Sequence, residues 1–234
     1  MKKHIVISIK NLVKRYPIGN DFFTALKDIN LTLNTGEFTG LVGPSGSGKT
    51  TLLNVIGGLD SASEGPVSVL DHSLNNTSHN ERALLRRKHM GFIFQSYNLL
   101  PVYTVYENLE LPLILNKVSP LERQKKVNQA IEWFGLSDKR DSRPNTLSGG
   151  QCQRTAIARA IVHQPDLVLA DEPTANLYAE NSHHIMKILT KLNKEISTSF
   201  VFATHDEKIM GYLKRIIHLE DGMINKDEKF EKSK

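Results

Sequence analysis

Phe38-Thr39-Gly40-Leu41-Val42 runs directly into Gly43-Pro44-Ser45-Gly46-Ser47-Gly48-Lys49-Thr50-Thr51, which is followed by Leu52-Leu53-Asn54-Val55-Ile56. The middle of this stretch fits G-x-x-x-x-G-K-[ST], the phosphate-binding loop. Its flanks supply the context the pattern requires: an apolar strand feeding the loop and the first turns of a helix leaving it. A glycine- and serine-rich turn with a chance lysine would lack those flanks. Glycines at 43, 46 and 48 let successive backbone N–H groups turn toward one anion. The helix start adds partial positive charge, and Lys49 brings a full charge to the β- and γ-phosphates of a nucleoside triphosphate. Thr50 is placed to ligate Mg²⁺.

Working outward, a chain of 234 residues is long for one average domain and short for two, so one domain with subdomains is expected. Hydrophobic content of 39% and charged content of 24% are those of a globular protein, and no apolar run is long enough to cross a bilayer. Met1-Lys2-Lys3-His4-Ile5-Val6 begins basic but is interrupted at Ser8, Lys10 and Asn11, so no secretory leader is expected and the cytoplasm is the expected compartment. Cys152 is the single cysteine, which rules out an internal disulfide. The net charge of +5 is spread among acids, which argues against a nucleic-acid partner. The densest basic cluster, Arg82, Arg86, Arg87 and Lys88, reads as the solvated face of a helix whose Leu84 and Leu85 point inward. The tail, 227–234, reads as a frayed end.

The opening third is β-rich, with short strands expected at Ile5–Ile9, Ala25–Leu26 and Ile29–Leu33. The middle third turns helical: Val127, Ala130, Ile131 and Phe134 recur at helical spacing over 122–134. The last third alternates, with helices at 150–162 and 182–194 and strands at Leu167–Ala170 and Phe200–Ala203. That is the grammar of a parallel α/β sheet.

Leu167-Val168-Leu169-Ala170-Asp171-Glu172 is an apolar strand ending in two acids. Asp171 is placed to hold Mg²⁺ and Glu172 to polarise the water that attacks the γ-phosphate. Leu147-Ser148-Gly149-Gly150-Gln151 opens the next helix, so a hydroxyl, backbone N–H groups and a helix dipole face an anion there too. One chain has one phosphate loop to serve, so this second anion site is expected to complete the γ-phosphate site of another copy. The combination closely resembles the ATP-binding-cassette (ABC) ATPases, whose signature is LSGGQ, and the resemblance spans about 9–224.

That resemblance implies a P-loop NTPase fold of the ABC ATPase kind, with an N-terminal antiparallel β region and an inserted helical subdomain. It implies a single nucleotide-binding domain over 3–226, with the core at 3–94 and 153–226 and the helical insertion at 95–152. By likeness of motif, Tyr16 stacks on adenine, Gln95 reaches Mg²⁺ and the attacking water, and His205 contacts the γ-phosphate. The stretches Tyr16–Gly19, Phe94–Pro101 and Glu107–Leu113 look like the ATPases of macrolide-export and lipoprotein-releasing systems, with a cell-division ATPase as near neighbour. The implied partners are a second copy of the chain and a separate membrane permease. The permease would dock near Gln95 and the segment 96–110 and hold the protein at the inner face of the membrane. A nucleotide-gated regulatory module with slow hydrolysis is the alternative. A DNA-repair or translation cassette protein would need coiled-coil arms or a second cassette, for which the chain has no room.

Three positions depart from the family pattern. Tyr178 stands where the family has aspartate in a segment that crosses the dimer seam, which puts the rate of turnover in question. Cys152 replaces a glutamine, and Pro66 follows Gly65 at the first residue of a strand, where proline is tolerated.

Overall fold

In the computed structural model, which describes residues 4–175 and 177–230, two sheets and a set of helices enclose two hydrophobic cores. A four-stranded antiparallel sheet has the order β2-β1-β4-β5, and a six-stranded sheet has the order β10-β9-β3-β8-β7-β6. The first pair, β1 (Ile5–Ile18) and β2 (Asp21–Asn34), forms one long hairpin closed by the turn Gly19-Asn20. The sequence pattern had suggested only short strands here. The reason is that the register shifts between Ile9 and Lys14, where Asn11 adopts φ 46° and Asp28 across from it φ 51°. Such bulges break the two-residue alternation on which strand reading depends, without breaking the strand.

β3 (Phe38–Val42) lies at the centre of the larger sheet and leads through the phosphate loop into α1 (Lys49–Ile56). The strands β4 (Val67–Val69) and β5 (His72–Ser73) complete the antiparallel sheet, and α2 (His79–His89) carries the basic cluster. After β6 (Met90–Ile93) come α3 (Val105–Leu115), α4 (Pro120–Trp133) and α5 (Gly149–Ile161). α3 starts at a reciprocal cap between Thr104 and Glu107 and continues past Pro112, so the helical stretch contains a helix that its proline had obscured. α5 passes through residue 152 without a break.

Parallel pairing then continues through β7 (Leu167–Asp171), α6 (Ala179–Ile196), β8 (Ser199–Thr204), the short α7 (Glu207–Met210) and β9 (Arg215–Glu220). One core fills the space between the sheet and α3 to α6, where Phe38, Phe200 and Phe202 meet at ring separations of 4.7 to 5.7 Å. The other lies between the antiparallel sheet, α1 and the opposite face of the large sheet.

The expected frayed tail is corrected by β10 (Met223–Lys229), an edge strand pairing antiparallel with β9. Its backbone ladder with β9 and the packing of Ile224 against the second core are reinforced by a buried charge network. Arg215, 6% exposed, donates from Nε and Nη2 to the two oxygens of Asp227 at 2.8 and 2.6 Å, and from Nη1 to Glu37 (2.7 Å) and the Thr32 carbonyl (2.8 Å). The remaining expected tail positions, from residue 231 on, lie outside the described residues, as does residue 3. Removing the guanidinium leaves carboxylates without their partner, so Arg215→Met is expected to cost about 3–5 kcal/mol of unfolding free energy in urea titrations. The same network gives acid sensitivity. Its hydrogen bonds to Arg215 hold the Asp227 carboxyl below the usual carboxylate range. The stabilisation is therefore complete above the unfolded carboxylate pKa and is lost as pH falls through the lowered native value.

Candidate functional site

The carboxyl ends of β3, β6, β7 and β8 face one side of the sheet, which is where ligands bind in open α/β sheets. The phosphate loop is shaped by its neighbours. Gly48 sits at φ 100°, a conformation that side chains resist, and a Cβ there would come within 2.8 Å of Leu26 Cδ2 and 3.0 Å of the Ala25 carbonyl. At Gly43 a Cβ would meet the Leu219 carbonyl at 2.0 Å. The loop is therefore pressed between the hairpin and β9, and only glycine fits at these two turns.

Lys49 lies across this loop and is 8% exposed, its ammonium donating to the carbonyls of Gly43 (2.7 Å) and Pro44 (2.8 Å). Burial pushes its pKa down, and the Glu172 and Asp171 carboxylates pull part of the way back. The Thr50 hydroxyl donates to Asp171 Oδ2 at 2.9 Å, tying α1 to the end of β7. Burial raises the Asp171 pKa, and neighbouring Glu172 adds to the rise.

Glu172 follows β7 in the left-handed region, φ 47°, with its amide donating to the Ala203 carbonyl at 2.8 Å. This turn aims the carboxylate across the strand ends. His205 Nδ1 stands 2.6 Å from Glu172 Oε1, and the Thr204 hydroxyl donates to Oε2 at 3.3 Å. Behind them, Thr174 donates to Asp206 (2.9 Å), whose own amide donates to Thr204 (3.0 Å), and the fully buried Gln153 of α5 donates to the Pro173 carbonyl (2.8 Å). Glu172 is thus held at 8% exposure while the His205 side chain stays 73% exposed at the surface of the cleft.

Of the residues singled out from sequence, Tyr16, Ser45 to Thr51, Gln95, Asp171, Glu172 and His205 line one cleft of about 420 Å³. Gln95 reaches it from the segment after β6 and is exposed. Tyr16 is fixed by donating its hydroxyl to Asp60 (2.8 Å), and Lys14, itself 2.5 Å from Asp60, lies 4.7 Å over the Tyr16 ring. The cleft has one wall the sequence reading omitted: Phe23, which pairs with Tyr16 across the hairpin and is 53% exposed. The signal was the hairpin register, legible only once both strands are known to be long.

Ser148, Gly149, Gly150 and Gln151 do not enter this cleft. They line a second cavity of about 470 Å³ together with Tyr97, Arg154, Ala175 and Tyr178. The Ser148 hydroxyl accepts from the Gln151 amide (3.3 Å) while the Gln151 side chain accepts from the Ser148 amide (2.8 Å), a reciprocal cap that leaves other first-turn N–H groups directed outward. Tyr178 occupies the N-cap of α6 with no side-chain hydrogen bond and is 85% exposed. Cys152 is buried, its thiol pKa raised by that burial.

A strand, a glycine-bound phosphate loop with its lysine, and an acid-tipped neighbouring strand define a P-loop nucleoside triphosphatase. Comparison with known proteins narrows this. The sequence profile of the ABC transporter family matches residues 26–175. The chain is 45% identical over 219 residues to the lipoprotein-releasing system ATP-binding protein LolD of Francisella tularensis, covering 93% of this chain and 95% of that one. It is 42% identical over 228 residues to the ABC transporter ATP-binding protein MJ0796 of Methanocaldococcus jannaschii, covering 96% and 97%. Among solved structures, the dimeric post-hydrolysis state of MJ0796 bound to ADP and Pi matches with a TM-score of 0.92 at 41% identity, covering 97% of this chain and 100% of that one. The chain belongs to the ABC transporter family and is an ATP-binding, ATP-hydrolysing cassette.

Proposed function

We propose that two copies of this chain close head to tail around two ATP molecules and drive a separate membrane permease, in lipoprotein release or export. The observation that carries the reading is the division of the anion-binding groups between two cavities. The phosphate loop and its acids line one, and the Ser148 helix start lines the other with no lining residue shared. A second copy brings the missing half to each site. LolD's place in a lipoprotein-releasing system and the dimeric state of MJ0796 support the same reading.

In each site Lys49 and the loop amides hold the β- and γ-phosphates, and Tyr16 with Phe23 forms the wall for the base. Thr50 Oγ1 and Asp171 Oδ2, side by side next to the loop, are the hard oxygen donors that fit Mg²⁺, which keeps several waters and needs no all-protein cage. Held by these two oxygens, Mg²⁺ would supply neutralisation of charge on the phosphate oxygens. Glu172 accepts a proton from the attacking water, and its hydrogen bonds to His205 and Thr204 fix the carboxylate for that task. Gln95 and His205 approach the γ-phosphate from the two flanking strands.

The permease fits a groove of about 510 Å³ beside Gln95, floored by Leu59, Phe92, Phe94, Leu100, Leu111 and Leu115 and edged by Arg86, Arg87 and Arg159. No helix among the described residues is long and apolar enough to cross a membrane, so attachment to the inner face of the membrane would run through that partner.

Tyr178 separates rapid hydrolysis from the alternative of slow, nucleotide-gated signalling. Tyr178→Asp supplies the missing cap of α6 and is expected to raise stability by about 0.5–2 kcal/mol. Phosphate release from purified wild type and Tyr178→Asp, each with Mg-ATP, is the test. Equal turnover in both supports an active cassette as it stands, whereas acceleration on restoring the acid assigns the wild type to the slow class. No turnover in either sinks the transport reading.

A further inference from the structure

Gln95 is followed by Ser96, Tyr97 and Asn98, and the last two adopt φ 63° and 49° in succession. A single left-handed asparagine is ordinary. A left-handed tyrosine beside it is not, because the Cβ of each is driven toward its own carbonyl, and strain of this kind persists only where the surroundings enforce it. The enforcing group is on another element. Arg159, in the last turn of α5, donates from Nη1 to the Asn98 carbonyl at 2.7 Å and from Nη2 to the Tyr97 carbonyl at 3.0 Å. One planar fork therefore grips both left-handed residues at once, a geometry that a lysine's point charge does not reproduce. Arg159 also lines the apolar groove beside Gln95, and the Tyr97 hydroxyl lies 3.1 Å from where a Cβ on Gly149 would be, at the start of the Ser148 helix.

We propose that Arg159 is a positioning residue for hydrolysis: its guanidinium imposes the left-handed Tyr97-Asn98 turn and thereby places Gln95 in the nucleotide cleft and Tyr97 against the Ser148 helix start. Arg159 is not among the residues that line the cleft of the phosphate loop, so its loss acts on the rate and not on ATP affinity. The inference rests on the ATPase reading above, and its test has one readout that does not.

Arg159→Met is expected to bind ATP within about twofold of wild type by calorimetry and to lose roughly ten- to hundredfold in kcat, the cost of misplacing a catalytic approach by about 1 Å. Arg159→Lys is expected to resemble Arg159→Met. Adding Asn98→Gly is the discriminating step. Glycine adopts φ near 50° without strain, so less enforcement is needed, and Arg159→Met/Asn98→Gly should regain at least threefold in kcat over Arg159→Met. A merely structural role for Arg159 predicts no such rescue, since glycine adds flexibility and no contact. Hydrogen exchange of the Tyr97 to Leu100 amides in nucleotide-free protein reads the clamp directly. It should accelerate at least tenfold in Arg159→Met, whether or not the protein hydrolyses ATP. Wild-type kcat in Arg159→Met, absence of rescue by Asn98→Gly, or unchanged exchange at 97–100 each overturns the proposal.

Discussion

Glu172→Gln is expected to lower ATP turnover by about 10²–10⁴-fold while leaving ATP affinity within a few-fold of wild type. The two halves of this expectation have separate physical origins. The amide keeps the size of the carboxylate, and its oxygen still accepts one of the two hydrogen bonds that come from His205 and Thr204, so the strand-end turn persists. What is lost is the ability to take a proton from water. Affinity is set elsewhere, by the loop amides and by Lys49, and loses nothing that contacts the phosphates. Single-turnover phosphate release alongside calorimetric ATP titration separates the two effects. Unimpaired turnover would remove Glu172 from the role assigned to it.

Lys49→Ala reverses the pattern. The ammonium is almost fully buried and already desolvated, so its charge is worth more to a phosphate than a surface lysine's would be. Truncating one partner of a buried, hydrogen-bonded charge pair costs about 2–5 kcal/mol, an ATP affinity loss of roughly 30- to several-thousand-fold. The fold should survive. Among the described residues the ammonium's hydrogen-bond acceptors are the carbonyls of Gly43 and Pro44, and both are in a loop at the mouth of the cleft, where water can replace it. Calorimetry with ATP and a thermal melt of the same variant test the pair of expectations. Wild-type affinity would mean that the phosphates are held by something other than this loop.

Much of the architecture was legible because its signals are local. The phosphate loop, the acid-tipped strand and the capped Ser148 helix each place glycines, hydroxyls and charges within a few residues, and each occurs where the pattern put it. The long hairpin was less legible because the left-handed residues Asn11 and Asp28 shift the register in mid-strand. α3 was obscured by Pro112, which deprives the Asn108 carbonyl of its usual helical donor in a helix otherwise well capped at Thr104. β10 looked like a solvated, charged tail since every residue after Ile224 in it is polar or charged. Its anchor, Arg215, sits twelve residues upstream of Asp227 and acts through a buried fork. The Arg159 clamp shares that character: it joins residues 61 and 62 positions apart that only the assembled fold brings together.

The composite site is the central claim, and the Ser148 helix start is the place to test it. In the proposed cycle hydrolysis reopens the dimer, so Glu172→Gln serves as the parent in place of wild type. With Mg-ATP, light scattering coupled to size-exclusion chromatography should give Glu172→Gln twice the mass of one chain. Glu172→Gln/Ser148→Arg places bulk and charge on the second cavity, which shares no lining residue with the phosphate-loop cleft, and should bind ATP as tightly to the monomer yet remain at the mass of one chain. Dimers of undiminished stability in the double variant would contradict the shared site. So would loss of monomer ATP affinity, because it would put Ser148 in the same chain's cleft.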